Sequence, residues 1–137
     1  SMTYGRAYHT ASILSDGKVL VVDGDNSKTL NSSELYDPST GNWTRISDLK
    51  ILRADFAATS LLNGKVLATG GMGDDEGGIT NTAELSDPST NNWAHLPHFK
   101  RLRMGHIATL LRNGRVLIIG GEGDACEKTA EIYDPPK

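Results

Sequence analysis

The sequence predicts an all-β chain made of three successive small antiparallel sheets. Three observations carry this. The chain repeats itself at spacings of 47 and 50 residues. Each copy holds two short apolar runs joined through Asp-Gly or Asn-Gly. No segment keeps the period of an amphipathic helix.

The self-similarity is read from matching stretches. Arg6 is followed by Asp16-Gly17-Lys18-Val19-Leu20, Arg53 by Asn63-Gly64-Lys65-Val66-Leu67, and Arg103 by Asn113-Gly114-Arg115-Val116-Leu117. Further on, Ser33-Glu34-Leu35-Tyr36-Asp37-Pro38-Ser39-Thr40-Gly41-Asn42-Trp43 matches Ala83-Glu84-Leu85-Ser86-Asp87-Pro88-Ser89-Thr90-Asn91-Asn92-Trp93, and Ala130-Glu131-Ile132-Tyr133-Asp134-Pro135 matches both. So many coincidences at fixed offsets exclude low-complexity drift. The chain therefore reads as one domain, 1–137, of three repeats at about 1–49, 50–99 and 100–137.

Each repeat reads as four strands, A to D. Strand A is expected at about 7–14, 55–62 and 105–112, and strand B at about 18–23, 65–70 and 115–120. Strand B is almost continuously apolar, as a strand buried on both faces should be. The Asp-Gly or Asn-Gly between them predicts a two-residue hairpin with positive φ at both turn positions. Strand C carries Glu34, Glu84 or Glu131, and Asp-Pro then stops the pairing. Strand D holds Trp43 or Trp93; the third repeat lacks this strand, so 11 strands, or about two and three-quarter units, are expected. A four-stranded meander at this period is the signature of propeller blades.

The residues resemble the kelch family. The resemblance rests on Gly70-Gly71 and Gly120-Gly121 after strand B, on Glu-Leu-Tyr-Asp and Glu-Ile-Tyr-Asp in strand C, on Trp43 and Trp93, and on the Arg preceding each strand A. It covers essentially the whole chain, and the wording is most similar to bacterial and galactose-oxidase-type kelch propellers. Asp23 stands where the first Gly of the pair is usual, and Ser86 stands in place of the Tyr. The resemblance implies a kelch β-propeller segment and a non-catalytic scaffold for protein–protein interaction. It leaves as alternatives a fragment of a galactose-oxidase-like copper oxidase or a glycan-binding propeller. The oxidase chemistry requires two tyrosines, two histidines and a cysteine crosslinked to one tyrosine, and Cys126 has no evident tyrosine partner.

The repeat marks read as structural. Gly70-Gly71 and Gly120-Gly121 turn the chain sharply out of strand B, and Asp23 in that place predicts strain or a local hydrogen bond. Tyr36, Tyr133, Trp43 and Trp93 should pack between blades with their polar tips partnered. Arg6, Arg53 and Arg103 recur in step with Glu34, Glu84 and Glu131, which predicts partly buried ion pairs tying strand A to strand C; the alternative is an arginine ring for an anionic partner. His9 and His106 fall in strand A where the second repeat has Phe56, which marks packing rather than metal ligation. His95 and His98 fall on the D-to-A connection, at the surface.

Alternating strand direction brings the B–C and D–A loops to one rim. The B–C loops differ in length, at 24–31, 71–81 and 121–128, and variable loops on a rigid scaffold usually carry function. The candidate partner-binding residues there are Asp25, Asn26, Asp74, Asp75, Glu76, Glu122 and Asp124, with Lys50, Lys100 and Arg101 from the D–A loops. Cys126 lies in the same loops as an exposed thiol. The EF-hand spacing, Gly-x-Ser-x-Gly, His-Glu-x-x-His and the P-loop pattern are absent, so no catalytic residue, metal or cofactor is expected.

Bulk numbers narrow the partners. A net charge of −3 with interspersed signs argues against nucleic acid, and the apolar runs are too short to cross a bilayer as helices. One cysteine leaves the compartment undecided. Ser1-Met2 reads as a cloning remnant, and Asn31-Ser32-Ser33 and Asn42-Trp43-Thr44 fit the glycosylation triplet, a pattern frequent by chance. Propellers close with four or more blades. The chain is thus expected to be a segment of a longer protein, or to pair as a homodimer into a six-bladed ring.

Overall fold

The computed structural model describes residues 1–24, 31–73, 78–123 and 125–136. All regular structure among them is β. The first sheet runs β1 (Thr10–Ile13), β2 (Val19–Val22), β3 (Ser33–Asp37) and β4 (Asn42–Ile46), in that spatial order. The second repeats it with β5 (Ala57–Ser60), β6 (Val66–Thr69), β7 (Ala83–Asp87) and β8 (Asn92–Leu96). The third has β10 (Ile107–Leu110), β11 (Val116–Ile119) and β13 (Ala130–Tyr133). All neighbours are antiparallel, as a meander requires. Two further short strands, β9 (Arg103–Met104) and β12 (Glu122–Gly123), pair outside the third sheet.

The sheets stand side by side with their A strands innermost: β5 touches β1 on one side and β10 on the other. The Asp55 amide donates to the Tyr8 carbonyl at 3.3 Å, and the Gly105 amide to the Asp55 carbonyl at 2.8 Å. The same step therefore links successive repeats. Tyr8, Asp55 and Gly105 all hold a positive φ of 53–61° to make it.

Register decides what each sheet presents to its neighbour. Leu20, Val22, Leu35 and Ile46 leave the first sheet on one side and meet Val66, Ala68, Phe56 and Trp93 of the second. On its other side the second sheet sends Leu67, Ala83, Leu85 and Leu96 against Val116, Ile118 and Tyr133 of the third. The near-continuous apolar character of β6 follows, since both of its faces meet neighbours, whereas β2 and β11 each meet a neighbouring sheet on one face.

Some expectations are corrected. The A–B hairpins are three-residue loops, not two-residue ones. The Leu14 amide bonds the Lys18 carbonyl and the Gly17 amide the Leu14 carbonyl, and only Gly17 of the Asp-Gly pair has positive φ, at 85°. Gly64 and Gly114 do the same. A type I turn followed by a left-handed Gly is the usual three-residue connection, and the Asp16 or Asn carboxamide oxygen caps it by accepting from the amide two residues on. The strands are also shorter than expected, and His9 and His106 precede strand A instead of lying in it. His95 belongs to β8, though it is exposed as expected, in edge contact with His98 at 5.8 Å. Trp93 is buried between the first two sheets, but its indole N–H has no partner there.

His106 is buried against Phe99, with Nε2 2.9 Å from Thr69 Oγ1. Burial first, and the Arg103 charge second, push its pKa down to about 4. The folded chain thus holds it neutral while the unfolded chain protonates it below its ordinary value near 6.5. Stability is lost as pH falls through that window, by up to about 1.4 kcal/mol per pH unit for one proton. His106→Phe, which installs the residue that the second repeat carries at Phe56, is expected to remove this acid sensitivity. Urea midpoints at pH 7 and pH 5 test it: the gap between the two should shrink in the variant.

Candidate functional site

The candidate rim is organised by three copies of one polar network. In the second repeat the Arg53 side chain is fully buried. Its Nη1 donates to the carbonyls of Gly70 at 2.7 Å and Thr82 at 3.3 Å. Its Nη2 donates to Thr82 Oγ1 at 3.1 Å and Glu84 Oε1 at 2.9 Å. Glu84 in turn accepts from the amides of Lys50 at 2.7 Å and Ile51 at 3.0 Å. One guanidinium and one carboxylate so join the end of strand B, the B–C loop, strand C and the D–A connection.

The other repeats reproduce it. Arg6 bonds the Asp23 and Ser32 carbonyls, Ser32 Oγ and Glu34, and Glu34 accepts from Thr3 and Tyr4. Arg103 bonds the Gly120, Cys126 and Thr129 carbonyls, Thr129 Oγ1 and Glu131, and Glu131 accepts from Lys100 and Arg101. Each Arg–Glu contact is 2.9 or 3.0 Å. Burial alone would raise the Glu34 pKa, but the Thr3 and Tyr4 amides and Arg6 together hold it below the usual carboxylate range. These guanidiniums point inward, so they do not form an arginine ring for an outside anion.

Sequence reasoning missed two parts of this frame. A hydroxyl residue lies two places before each Glu (Ser32, Thr82, Thr129) and accepts from the Arg. Asn31 and Asn81 each clip the B–C loop to the D–A connection. The Asn81 backbone and carboxamide bond both the amide and the carbonyl of Phe99, and Asn31 treats Leu49 alike. Self-alignment carried both signals.

Of the proposed partner-binding residues, Asp25, Asn26, Asp74, Asp75, Glu76 and Asp124 lie outside the described residues. Lys50, Lys100 and Glu122 are exposed, and Arg101 is half-buried. Lys50 and Lys100 come from equivalent places, one repeat apart, with their amides fixed on Glu84 and Glu131. Glu122 sits on β12, tied to the chain at Met104. Cys126 is fully buried, not an exposed thiol, because its carbonyl is drawn inward by Arg103 and Thr129. Among the described residues no group of three or more His, Cys, Asp or Glu converges as a metal site would.

Gly71 explains the Gly pair. Its φ is 99°, and a Cβ there would stand 2.7 Å from the Phe56 Cβ and 2.9 Å from the Ala54 carbonyl oxygen. Gly70 is equally closed, by Arg103 and His106. Asp23 takes the corresponding position in the first repeat with φ 53°. It is fully buried, and neither carboxyl oxygen has a hydrogen-bond partner.

Residues 6–50 match the family model of the Kelch motif. An F-box/kelch-repeat protein of Arabidopsis thaliana is 37% identical over 68 residues, which is 46% of this chain and 18% of that protein. A fungal alcohol oxidase of the AA5 family, solved in complex with copper, superposes with a TM-score of 0.81 at 18% identity, over 96% of this chain and 31% of the oxidase. The chain thus spans under a third of either protein. The second and third sheets repeat the plan of residues 6–50, so the chain is an unclosed arc of the propeller fold whose first repeat matches the Kelch motif.

Proposed function

We propose that the chain is a non-catalytic interaction module that engages a protein partner through the rim formed by the B–C and D–A loops. The observation that carries this is the thrice-repeated Arg–Glu network, which fixes loop backbones from within while Lys50, Lys100 and Glu122 stay exposed above it. A loop backbone fixed in advance spares the cost of ordering the loop on binding. A photocrosslinking residue at Glu122, compared with one at Asn113 on the opposite rim, tests it in extracts. Protein adducts from position 122 are expected; adducts from position 113 alone would refute the reading.

Kelch repeats in the Arabidopsis relative favour this reading, and the oxidase neighbour favours a copper enzyme only through its fold. The tyrosine–cysteine chemistry of such an oxidase has little support here. Tyr36 stacks on Trp43 at 5.0 Å, Tyr133 packs in the core and Cys126 is closed off.

The second part of the proposal is self-association into a six-bladed ring. Ile107, Ile119 and Ile132 line the outer face of the third sheet at 64%, 41% and 53% exposure, in the register that its predecessors use to bury neighbours. Ile13 on the outer face of the first sheet is 70% exposed. Apolar faces of this kind drive association. Light scattering should give twice the 14.7 kDa chain mass, and a clean monomer would remove the ring.

A further inference from the structure

We propose that a pocket beside Ser86, between the first and second sheets, binds a small monocyclic phenol. The argument is internal to the repeat. Between the second and third sheets, Tyr133 fills a cage that includes Leu61, Leu67, Leu85 and Leu96, and its hydroxyl donates to the Pro97 carbonyl at 3.4 Å. Between the first and second sheets the same four positions are Leu14, Leu20, Leu35 and Ile46. The residue that should fill that cage is Ser86, which faces Trp93 across the β7–β8 pair as Tyr36 faces Trp43. The four apolar walls are there and the tyrosine ring is not; Trp93 packs in the same cluster without lining the space that the tyrosine would take. A cavity of about 200 Å³ is lined by all four apolar residues together with Ser86.

Its size and lining set the ligand. An apolar cavity of about 150 Å³ accommodates a benzene ring, so one six-membered ring fits and a fused bicycle does not. The ring's faces gain contact with the half-buried Leu35 and Ile46, at roughly 25 cal/mol per Å² of apolar surface removed from water. The wall also carries polar groups: Asp16 and Lys18, an ion pair at 3.5 Å, and Asn91. A hydroxyl para to the buried end keeps hydrogen-bonding partners there, as the hydroxyl of Tyr133 does. The site belongs to the rim opposite to the proposed partner face and does not depend on that reading.

The probe is p-cresol, the tyrosine side chain as a free molecule, added to the full chain with methyl-labelled Leu and Ile. Binding should shift the methyls of Leu14, Leu20, Leu35 and Ile46 and raise the melting temperature. Ser86→Tyr, which supplies the ring covalently, should weaken p-cresol by at least about tenfold. Ser86→Phe fills the same space and serves if the first variant does not fold. Three results would overturn the proposal: unchanged affinity in the filled variants, shifts no larger at these four residues than at Leu61, Leu67, Leu85 and Leu96, or no shift up to the solubility limit. Toluene binding as tightly as p-cresol would overturn the phenol assignment.

Discussion

Arg53→Met is expected to destabilise the chain by about 3–5 kcal/mol, the cost of leaving a buried charge without its counter-charge. The loss is large because Arg53 does four jobs at once. Its Nη atoms satisfy two carbonyls, one hydroxyl and Glu84, all away from solvent. Methionine removes every donor and leaves Glu84 fully buried with only the two amides of Lys50 and Ile51. Urea unfolding reads the effect as a lowered midpoint at unchanged slope. Two controls separate the network from charge in general. Arg115→Met, whose contact with Asp134 is 3.6 Å and exposed, should leave the midpoint almost in place. The double variant Arg53→Met, Glu84→Leu should recover part of the loss, since no unpaired charge remains. If the single variant unfolds at the wild-type midpoint, the network is not what holds the rim.

The same network measures what the sequence made legible. The repeat, its strands and the in-step Arg and Glu positions were all visible, because each is a one-dimensional coincidence. Which atoms meet was not. Nothing local says that Arg6 also reaches the Asp23 and Ser32 carbonyls, since those bonds depend on how the B–C loop folds back. The hairpin is ambiguous in sequence for a related reason. Asp-Gly fits a two-residue turn and a three-residue turn with a left-handed Gly equally well, and the bond from the Leu14 amide to the Lys18 carbonyl decides between them. Cys126 belongs to a loop and is nevertheless buried, because Arg103 pulls that stretch of loop inward, a contact that no local pattern announces. The pocket beside Ser86 was announced by a departure from the repeat, a Ser in a Tyr position, whose consequence needed the facing side chains.

Asp23→Gly is expected to stabilise the chain, and by more as pH rises. Asp23 is a non-Gly residue at φ 53°, where a side chain costs about 1–2 kcal/mol. Its carboxyl group is buried without a partner, which costs about 1–3 kcal/mol more. Glycine removes both terms, and the second and third repeats already use it there, at Gly70 and Gly120. The small void left behind offsets part of the gain. The pH dependence follows from burial, which pushes the Asp23 pKa up to about 9, with Arg53 and Arg6 only partly opposing it. The folded chain therefore keeps a proton that the unfolded chain releases above its ordinary value of 3.8. Stability from this group is whole below about pH 4 and declines as pH rises towards 9, by up to about 1.4 kcal/mol per pH unit. Above about 9 both states are ionised and the decline stops. Subtracting wild type from variant at each pH cancels the contribution of His106, which acts only on the acid side. The difference should widen steadily between pH 5 and pH 8; a flat difference would mean that Asp23 is ionised in the fold and has found a partner. Asp23→Asn separates charge from strain: it should flatten the pH dependence while keeping the backbone cost, so its curve should run parallel to that of the glycine variant and below it.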